Sequence, residues 1–369
     1  MAAPPDDRPH VFDHAPDSLA ELFGDWGLPR FRAKQVLDWV YAKGVADPRK
    51  MTNLSGRDRE LLHEKLRFVD GAVVRHQHAT DGTQKLLIDW SLDAAPTNPL
   101  AVLGSTSNQT ECVMIPVERS ESSRPRKTAC ISSQVGCPVG CRFCASGLGG
   151  LDGNLTAGQI VQQAWQLQQL PGVDRLTNIV FMGMGEPMAN LRAVLPAVRT
   201  LAADWGMSLS ARRITVSTVG VPAGIRRLAE LDLPVTLAVS LHAPNDELRK
   251  QIIPWAERVS IAQLLDAGRD YFAKTGREIT LEYILLGGLN DQPGHARELA
   301  KVAKTLRSNV NLIRYNEVDG LPYRRPADDD VQRFQNLLKS SGVNVHVRAS
   351  RGRDIAAACG QLRHEAAAV

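Results

Sequence analysis

The chain has 369 residues, of which 23% are charged, and a formal net charge of +4. This length carries a large domain with a substantial buried core, and the ordinary apolar content excludes a disordered chain. A modest positive charge suits a polyanionic partner without requiring one. No apolar run reaches the ~18 residues of a membrane span. The N-terminus, MAAPPDDRPH, is polar, acidic and proline-rich, so the chain reads as unexported and cytoplasmic. Its six cysteines then read as reduced thiols, to be explained by metal or catalysis before structural disulfides.

Residues 1–75 read as a small helical domain. Ala33, Val36, Leu37 and Val40 recur at helical spacing, with Gly44 placed to end that helix. Ser55 followed by Asp58 resembles a capping box for a helix running through Leu61, Leu62 and Leu66. Residues 76–127 form a connector in which DGTQKLLIDW and ECVMIPV are strands, separated by a loop-like insertion near 91–110. A second, basic insert covers Arg119 to Lys127.

A regular alternation fills 128–349. Strand candidates are TACISS, TNIVFMG, RITVSTV, PVTLAVSLH, EITLEYILL, NVNLIRYN and VNVHVR. Helical stretches at 156–169, 190–204, 260–274, 294–307 and 329–340 separate most of them. Strand–helix repeats of this extent predict an α/β fold, a parallel β/α barrel or doubly wound sheet. Function in such folds gathers at the C-terminal ends of strands. Residues 350–369 remain as a C-terminal tail.

The strongest feature is Cys137-Pro-Val-Gly-Cys141-Arg-Phe-Cys144, on the loop after the first strand of this region. Three closely spaced thiolates can ligate three irons of a [4Fe–4S] cluster, and no fourth cysteine follows locally. The fourth iron is then open to S-adenosylmethionine (SAM), whose sulfonium bond an electron from the cluster can cleave to a 5′-deoxyadenosyl radical. A structural zinc needs four ligands, and no further Cys or His stands at suitable spacing.

This spacing, with Phe143 before the last cysteine, resembles the radical-SAM superfamily, whose partial (β/α) barrel is the expected fold. The resemblance narrows through FRAKQVLDWVYAKGV, ACISSQVGCPVGCRFCASG, GMGEPMANL, ITVSTVGV, LAVSLHAPND, NDQPGHA, RYNEVDGLPYRRP and RGRDIAAACGQLR. Together these are similar to the bacterial RlmN family of adenine-C2 methyltransferases acting on 23S rRNA and tRNA, over about residues 30–364.

That resemblance implies a set of roles. Cys137, Cys141 and Cys144 would hold the cluster. Gly185, Glu186, Ser217, Ser240, Leu241, His242 and Asn316 would contact SAM, although each serine or asparagine alone reads as a turn residue and His242 alone as a core histidine. Two SAM molecules are used per turnover. The first methylates Cys359, and the second yields the radical that abstracts hydrogen from the S-methyl group before its carbon adds to adenine C2. Cys130 would release the product by attack on the Cys359 sulfur, leaving a disulfide. Glu111 would accept the C2 proton. Strand alternation sets Cys112 on the opposite face from Glu111 as a spectator. The sequence departs from the family pattern between Glu111 and Cys130, where SESSRPRK lengthens the loop.

Implied partners are 23S rRNA and tRNA, with a reducing system such as flavodoxin, and neither membrane nor DNA. Arg30, Arg32, Lys34, Arg324, Arg325, Arg348, Arg351 and Arg353 are candidates for a basic RNA-facing surface. Two other readings stay open: a C8-methylating paralogue of the Cfr type, and a non-enzymatic metal-containing RNA-binding protein.

Overall fold

The computed structural model of the protein describes residues 7–90, 108–117 and 125–362. Most of both inserts, at 91–107 and 118–124, lies outside the described residues, as do positions 363–369.

A ten-stranded sheet organises the molecule. It opens with an antiparallel run, β1 (Ala72–His78), β2 (Gln84–Asp89), β3 (Gln109–Val117) and β4 (Arg126–Cys130). A separate hairpin, β5 (Gln134–Gly136) with β6 (Leu151–Asn154), brackets the cysteine loop. The main sheet then continues in parallel from β4 through β7 (Asn178–Phe181), β8 (Ile214–Thr218), β9 (Thr236–Ser240), β10 (Ile279–Leu285), β11 (Ser308–Arg314) and β12 (Val345–Arg348). Among the described residues β1 and β12 stand at opposite edges, so the barrel is partial, as expected.

The expected boundary at 75 moves. Strand β1 begins at Ala72, inside the predicted helical domain, and β1 to β3 extend the main sheet instead of forming a separate connector. The physical reason is that AVVRHQH is an edge strand with exposed valines, and such a strand shows little of the alternation that marks a buried face.

Helices cover the outer face: α1 (Pro16–Asp25), α2 (Arg32–Tyr41), α3 (Gly56–Lys65), α4 (Ala157–Gln168), α5 (Leu191–Ala202), α6 (Pro222–Ala229), α7 (Asp246–Ile252), α8 (Ile261–Thr275), α9 (Pro293–Ala303) and α10 (Asp328–Ser340). Ser55 caps α3 by accepting from Asp58 N–H, which is one half of the expected capping box, and Thr156 and Ser260 form full capping boxes on α4 and α8. In β10, Leu281, Tyr283 and Leu285 face the helical layer, while Ile284 joins an interior cluster. The period-two rule therefore turns Glu282 into the barrel. Each fully buried Leu or Val adds roughly 1.5–3 kcal/mol, so this register is strongly fixed.

The N-terminal helices are docked, not tethered. Asp13 accepts from Gly158 N–H at the start of α4, where a carboxylate meets the positive helix end. Trp165 Nε1 donates to Val40 O at 2.8 Å, and Gln162 bonds both backbone groups of Asp70. Their apolar faces share one continuous core with the barrel helices.

The tail runs from β12 to the β1–β2 turn and then to the cysteine loop. Gly352 N–H donates to Asp81, Thr80 N–H to Asp354, and Lys85 Nζ to Ala356 O. Farther on, Ala145 N–H donates to Gly360 O and Ser146 Oγ to Leu362 O. The tail thus straps across the open side of the barrel.

Candidate active site

Cys137, Cys141 and Cys144 line one cavity, of about 890 Å³ with its open mouth included. Gly136 at φ +73° starts the loop, where a Cβ would lie 2.1 Å from Gly150 O. Burial raises all three thiols, Cys137 to about 12, and the neighbouring thiols add to the rise. As lone groups they stay protonated. Ligation to iron is what would stabilise three thiolates here. Among the described residues no three His, Cys, Asp or Glu side chains converge on one metal ion. Zinc wants four ligands about 2–2.3 Å from one point, whereas a cubane is held by cysteines at separate corners. The trio fits the cluster.

Residues from successive strand ends complete this cavity. After β7, Gly185 adopts φ +102°, and a Cβ there would stand 2.7 Å from both Gln134 Cβ and Ser133 Oγ. Glu186 is buried and accepts from Val219 N–H at 2.7 Å and Met188 N–H at 3.0 Å. Burial raises its carboxyl, and those backbone bonds pull it back. The Thr218 side chain hydrogen-bonds it as well, and a carboxylate has lone-pair capacity beyond three bonds, which leaves room for an ammonium. Ser217 and Ser240 put their hydroxyls 3.4 Å apart on the same wall. His242, at φ +58°, accepts from Ile284 N–H through Nδ1 and meets Phe143 edge-on, ring centroids 5.1 Å apart. Burial, with Arg249 behind it, pushes His242 down to about 3, so it is neutral.

Two expected contacts sit elsewhere. The side chain of Leu241 packs into the helix-side core, leaving only its backbone near the site. Asn316 lines a second cavity, of about 1320 Å³ with its mouth, and its Nδ2 donates to Cys359 O at 3.2 Å.

Cys359 stands between these cavities. It lines both, as do Met182, Glu282 and Ile313. Cys130 is buried in an apolar patch with Val113, Val180, Met184, Ala357 and Leu362. Burial and then nearby Cys359 raise its thiol to about 12. The disulfide implied for this pair is absent: all six cysteines are free, and two protonated thiols have no bond to form without an oxidant. Cys112 is fully buried in the opposite, helix-side core, as alternation requires.

Glu111 is buried and ion-paired to Lys85 at 2.6 Å, both side chains 5% exposed. It lines neither cavity. Arg348, expected on a basic surface, lies inside the second cavity instead, with Nη1 3.3 Å from Met182 Sδ. Its position on the last strand, in β alternation, turns it inward beside Cys359, Glu282 and Cys130. Arg351 lines the same cavity beside Asp81, and Arg325 bonds Tyr315 O and Asn316. Arg32 pairs with Asp58, while Arg30, Lys34, Arg324 and Arg353 are exposed.

The sequence did not single out Arg249. On short α7 its guanidinium is fully buried and donates to Leu241 O, Val259 O and Val219 O, tying the loops after β8 and β9 to the segment that enters α8. A charged residue on a seven-residue helix reads as solvated, so no signal marked it.

A loop of three cysteines at the C-terminal ends of parallel strands in a partial barrel defines a radical-SAM enzyme. Residues 131–300 match the Radical SAM superfamily, and residues 10–67 match the ribosomal RNA large subunit methyltransferase N-terminal domain. The chain is 42% identical to a probable dual-specificity RNA methyltransferase RlmN of Rhodopirellula baltica, covering 96% of this chain and 90% of that one. It is 40% identical to the dual-specificity RNA methyltransferase RlmN of Dichelobacter nodosus, covering 96% and 93%. A solved radical SAM methyltransferase from Sphaerobacter thermophilus superposes with a TM-score of 0.88 at 40% identity, covering 97% of this chain and 100% of that one. The chain belongs to the RlmN family of radical-SAM RNA methyltransferases, which use a [4Fe–4S] cluster and SAM. No helix among the described residues is long and apolar enough to cross a membrane.

Proposed function

We propose that this enzyme methylates C2 of an adenosine in the peptidyl-transferase-centre loop of 23S rRNA and of the adenosine 3′ to the anticodon in tRNA. The observation that carries this reading is the place of Cys359, in the wall shared by the cluster-side cavity and a second, larger one. A methyl carried there faces SAM on one side and a substrate base on the other. Relatives named dual-specificity RNA methyltransferases support two RNA targets.

Adenine C2 lies between two ring nitrogens and is too electron-poor to attack a sulfonium methyl. A thiolate does so readily, which is why a carrier cysteine suits this chemistry. When bound, the cluster supplies the electron that opens the sulfonium bond of SAM. The remaining work belongs to the chain. Cys137, Cys141 and Cys144 hold the cluster. Gly185, Glu186, Ser217, Ser240 and His242 shape the SAM site, with the Leu241 backbone behind them. Cys359 carries the methyl, and Asn316 fixes its carbonyl. Cys130 attacks the Cys359 sulfur, so that a Cys130–Cys359 disulfide forms as the sulfur–carbon bond to the methylated base breaks, and a thiol reductant must return both cysteines to the free state before the next turnover. Glu111 is the acceptor for the C2 proton, and because it lines neither cavity while paired with Lys85, its side chain must turn out from that pair to reach the base. A cytoplasmic site of action and a flavodoxin-like electron donor complete the reading.

The test is to incubate anaerobically reconstituted enzyme with SAM, a reductant and target RNA, and to map the methyl by mass spectrometry. The expected product is 2-methyladenosine. A methyl at C8, or at no adenosine, overturns the proposal.

A further inference from the structure

Glu282 is a buried carboxylate with a task outstanding. It is 3% exposed and lines both cavities, as does Cys359. One oxygen accepts from Asn311 Nδ2 at 3.0 Å, across the β10–β11 register. The other oxygen is buried and has no hydrogen-bond partner among the described residues. Such a group costs folding free energy unless something satisfies it. Burial raises its carboxyl, while Arg348 and the Asn311 bond favour the charged form.

The neighbours of Glu282 show which cavity it serves. Asn311 and Arg348 line the second cavity and not the cluster-side one, which has Glu186, Ser217 and Ser240 of its own. Below Glu282 the second cavity continues past Thr280, Thr236 and Thr215, with Arg126 and Arg351 also in its lining. That is a mixed recess, with threonine hydroxyls for a base and cations for phosphates among apolar side chains such as Ile115, Val180 and Ile313, on the other side of the carrier cysteine from the cluster-side cavity. A carboxylate in such a recess takes a donor, and adenine offers one pair of them, on its exocyclic nitrogen.

We propose that Glu282 reads the target base, its unpartnered oxygen accepting a hydrogen bond from the exocyclic amine of an adenine seated in the second cavity. This rests on the adenosine reading above but is indifferent to which ring carbon is methylated. The amide of Glu282→Gln would keep its oxygen on Asn311 and turn its NH₂ toward the base, so a 6-oxo purine becomes the better match.

The experiment uses holoenzyme and anticodon stem-loop RNAs carrying adenosine, purine ribonucleoside or inosine at the target position. Affinity and single-turnover methylation are measured for each RNA, and SAM affinity is measured separately. Wild type is expected to favour adenosine over purine ribonucleoside on the order of 10- to 100-fold, the size of one charge-assisted bond. Glu282→Gln is expected to lose that preference and favour inosine, with SAM affinity unchanged. Equal handling of adenosine and purine ribonucleoside by wild type overturns the proposal, whether or not the variant folds. So does an adenosine preference retained in Glu282→Gln, or a loss confined to SAM binding. RNA binding that discriminates as expected while the methyl maps elsewhere than C2 sinks the C2 reading and leaves the Glu282 assignment standing.

Discussion

Lys85 Nζ lies 2.6 Å from Glu111 Oε1 and 3.3 Å from Ala356 O, so one buried ammonium ties a carboxylate to the strap that carries Cys359. Removing one member of a buried pair strands the other charge, at a cost of roughly 3–5 kcal/mol. Lys85→Met is therefore expected to lower the urea midpoint sharply. Lys85→Met with Glu111→Leu is expected to recover most of that stability but no methylation. A double variant as unstable as the single one contradicts this account of the pair.

The cluster loop separates ligands from bystanders. Alanine at Cys137, Cys141 or Cys144 is expected to abolish iron and sulfide incorporation. Cys112→Ala, on the far face of β3, should load iron fully and lose only about 1 kcal/mol for a small cavity. Iron and sulfide analysis after anaerobic reconstitution decides it, and iron lost in Cys112→Ala would break the assignment.

Carrier and releasing thiols predict opposite failures. Cys359→Ala should give no methylated protein and no methylated RNA. Cys130→Ala should accumulate a covalent protein–RNA species, visible as a shifted band with labelled RNA on a denaturing gel. Methylated RNA from Cys359→Ala would show that the tail cysteine is not the carrier.

Gly185 gives a backbone test. At φ +102° with Gln134 Cβ and Ser133 Oγ 2.7 Å from the added methyl, Gly185→Ala must displace the loop that presents Glu186. The expected result is at least tenfold weaker SAM binding with the iron content intact, measured by equilibrium dialysis. Unchanged SAM affinity would remove this loop from the SAM site.

His242 sets a pH dependence. Its folded value of about 3 lies below its ordinary 6.5, from burial and then Arg249. The unfolded chain therefore binds a proton that the folded chain refuses, and stability falls as pH drops below about 6.5. By pH 5 the loss is about 2 kcal/mol, from one and a half pKa units. His242→Asn keeps an acceptor for Ile284 N–H and tolerates positive φ, so its urea midpoint should fall less between pH 8 and pH 5. Equal falls in both proteins would show that His242 is not the titrating group.

Much of this site was legible because strand ends are legible. Ser217, Ser240 and Gly185-Glu186 each follow an apolar run with strand composition, and parallel packing brings such ends together. Cys112 was placed by alternation alone. What stayed hidden are groups whose meaning depends on long-range partners. Lys85 and Arg348 lie on strands where a basic residue reads as solvent-facing, and each instead meets a group far away in the sequence, Ala356 O for Lys85 and Met182 Sδ for Arg348. Asn316 sits at a strand end, as expected, but turns toward the strap instead of the cluster side. Strand β1 escaped because its exposed valines carry no inward pattern.

The strap is fastened directly beside the cluster, through Ala145 to Gly360 and Ser146 to Leu362. Oxygen damage at the irons would thus reach the methyl carrier: once the loop after Cys144 loosens, the two anchors that flank Cys359 on its C-terminal side go with it, while Asn316 and Lys85 still hold the strap from the other side. An air-exposed sample should therefore lose the placement of Cys359 along with the cluster.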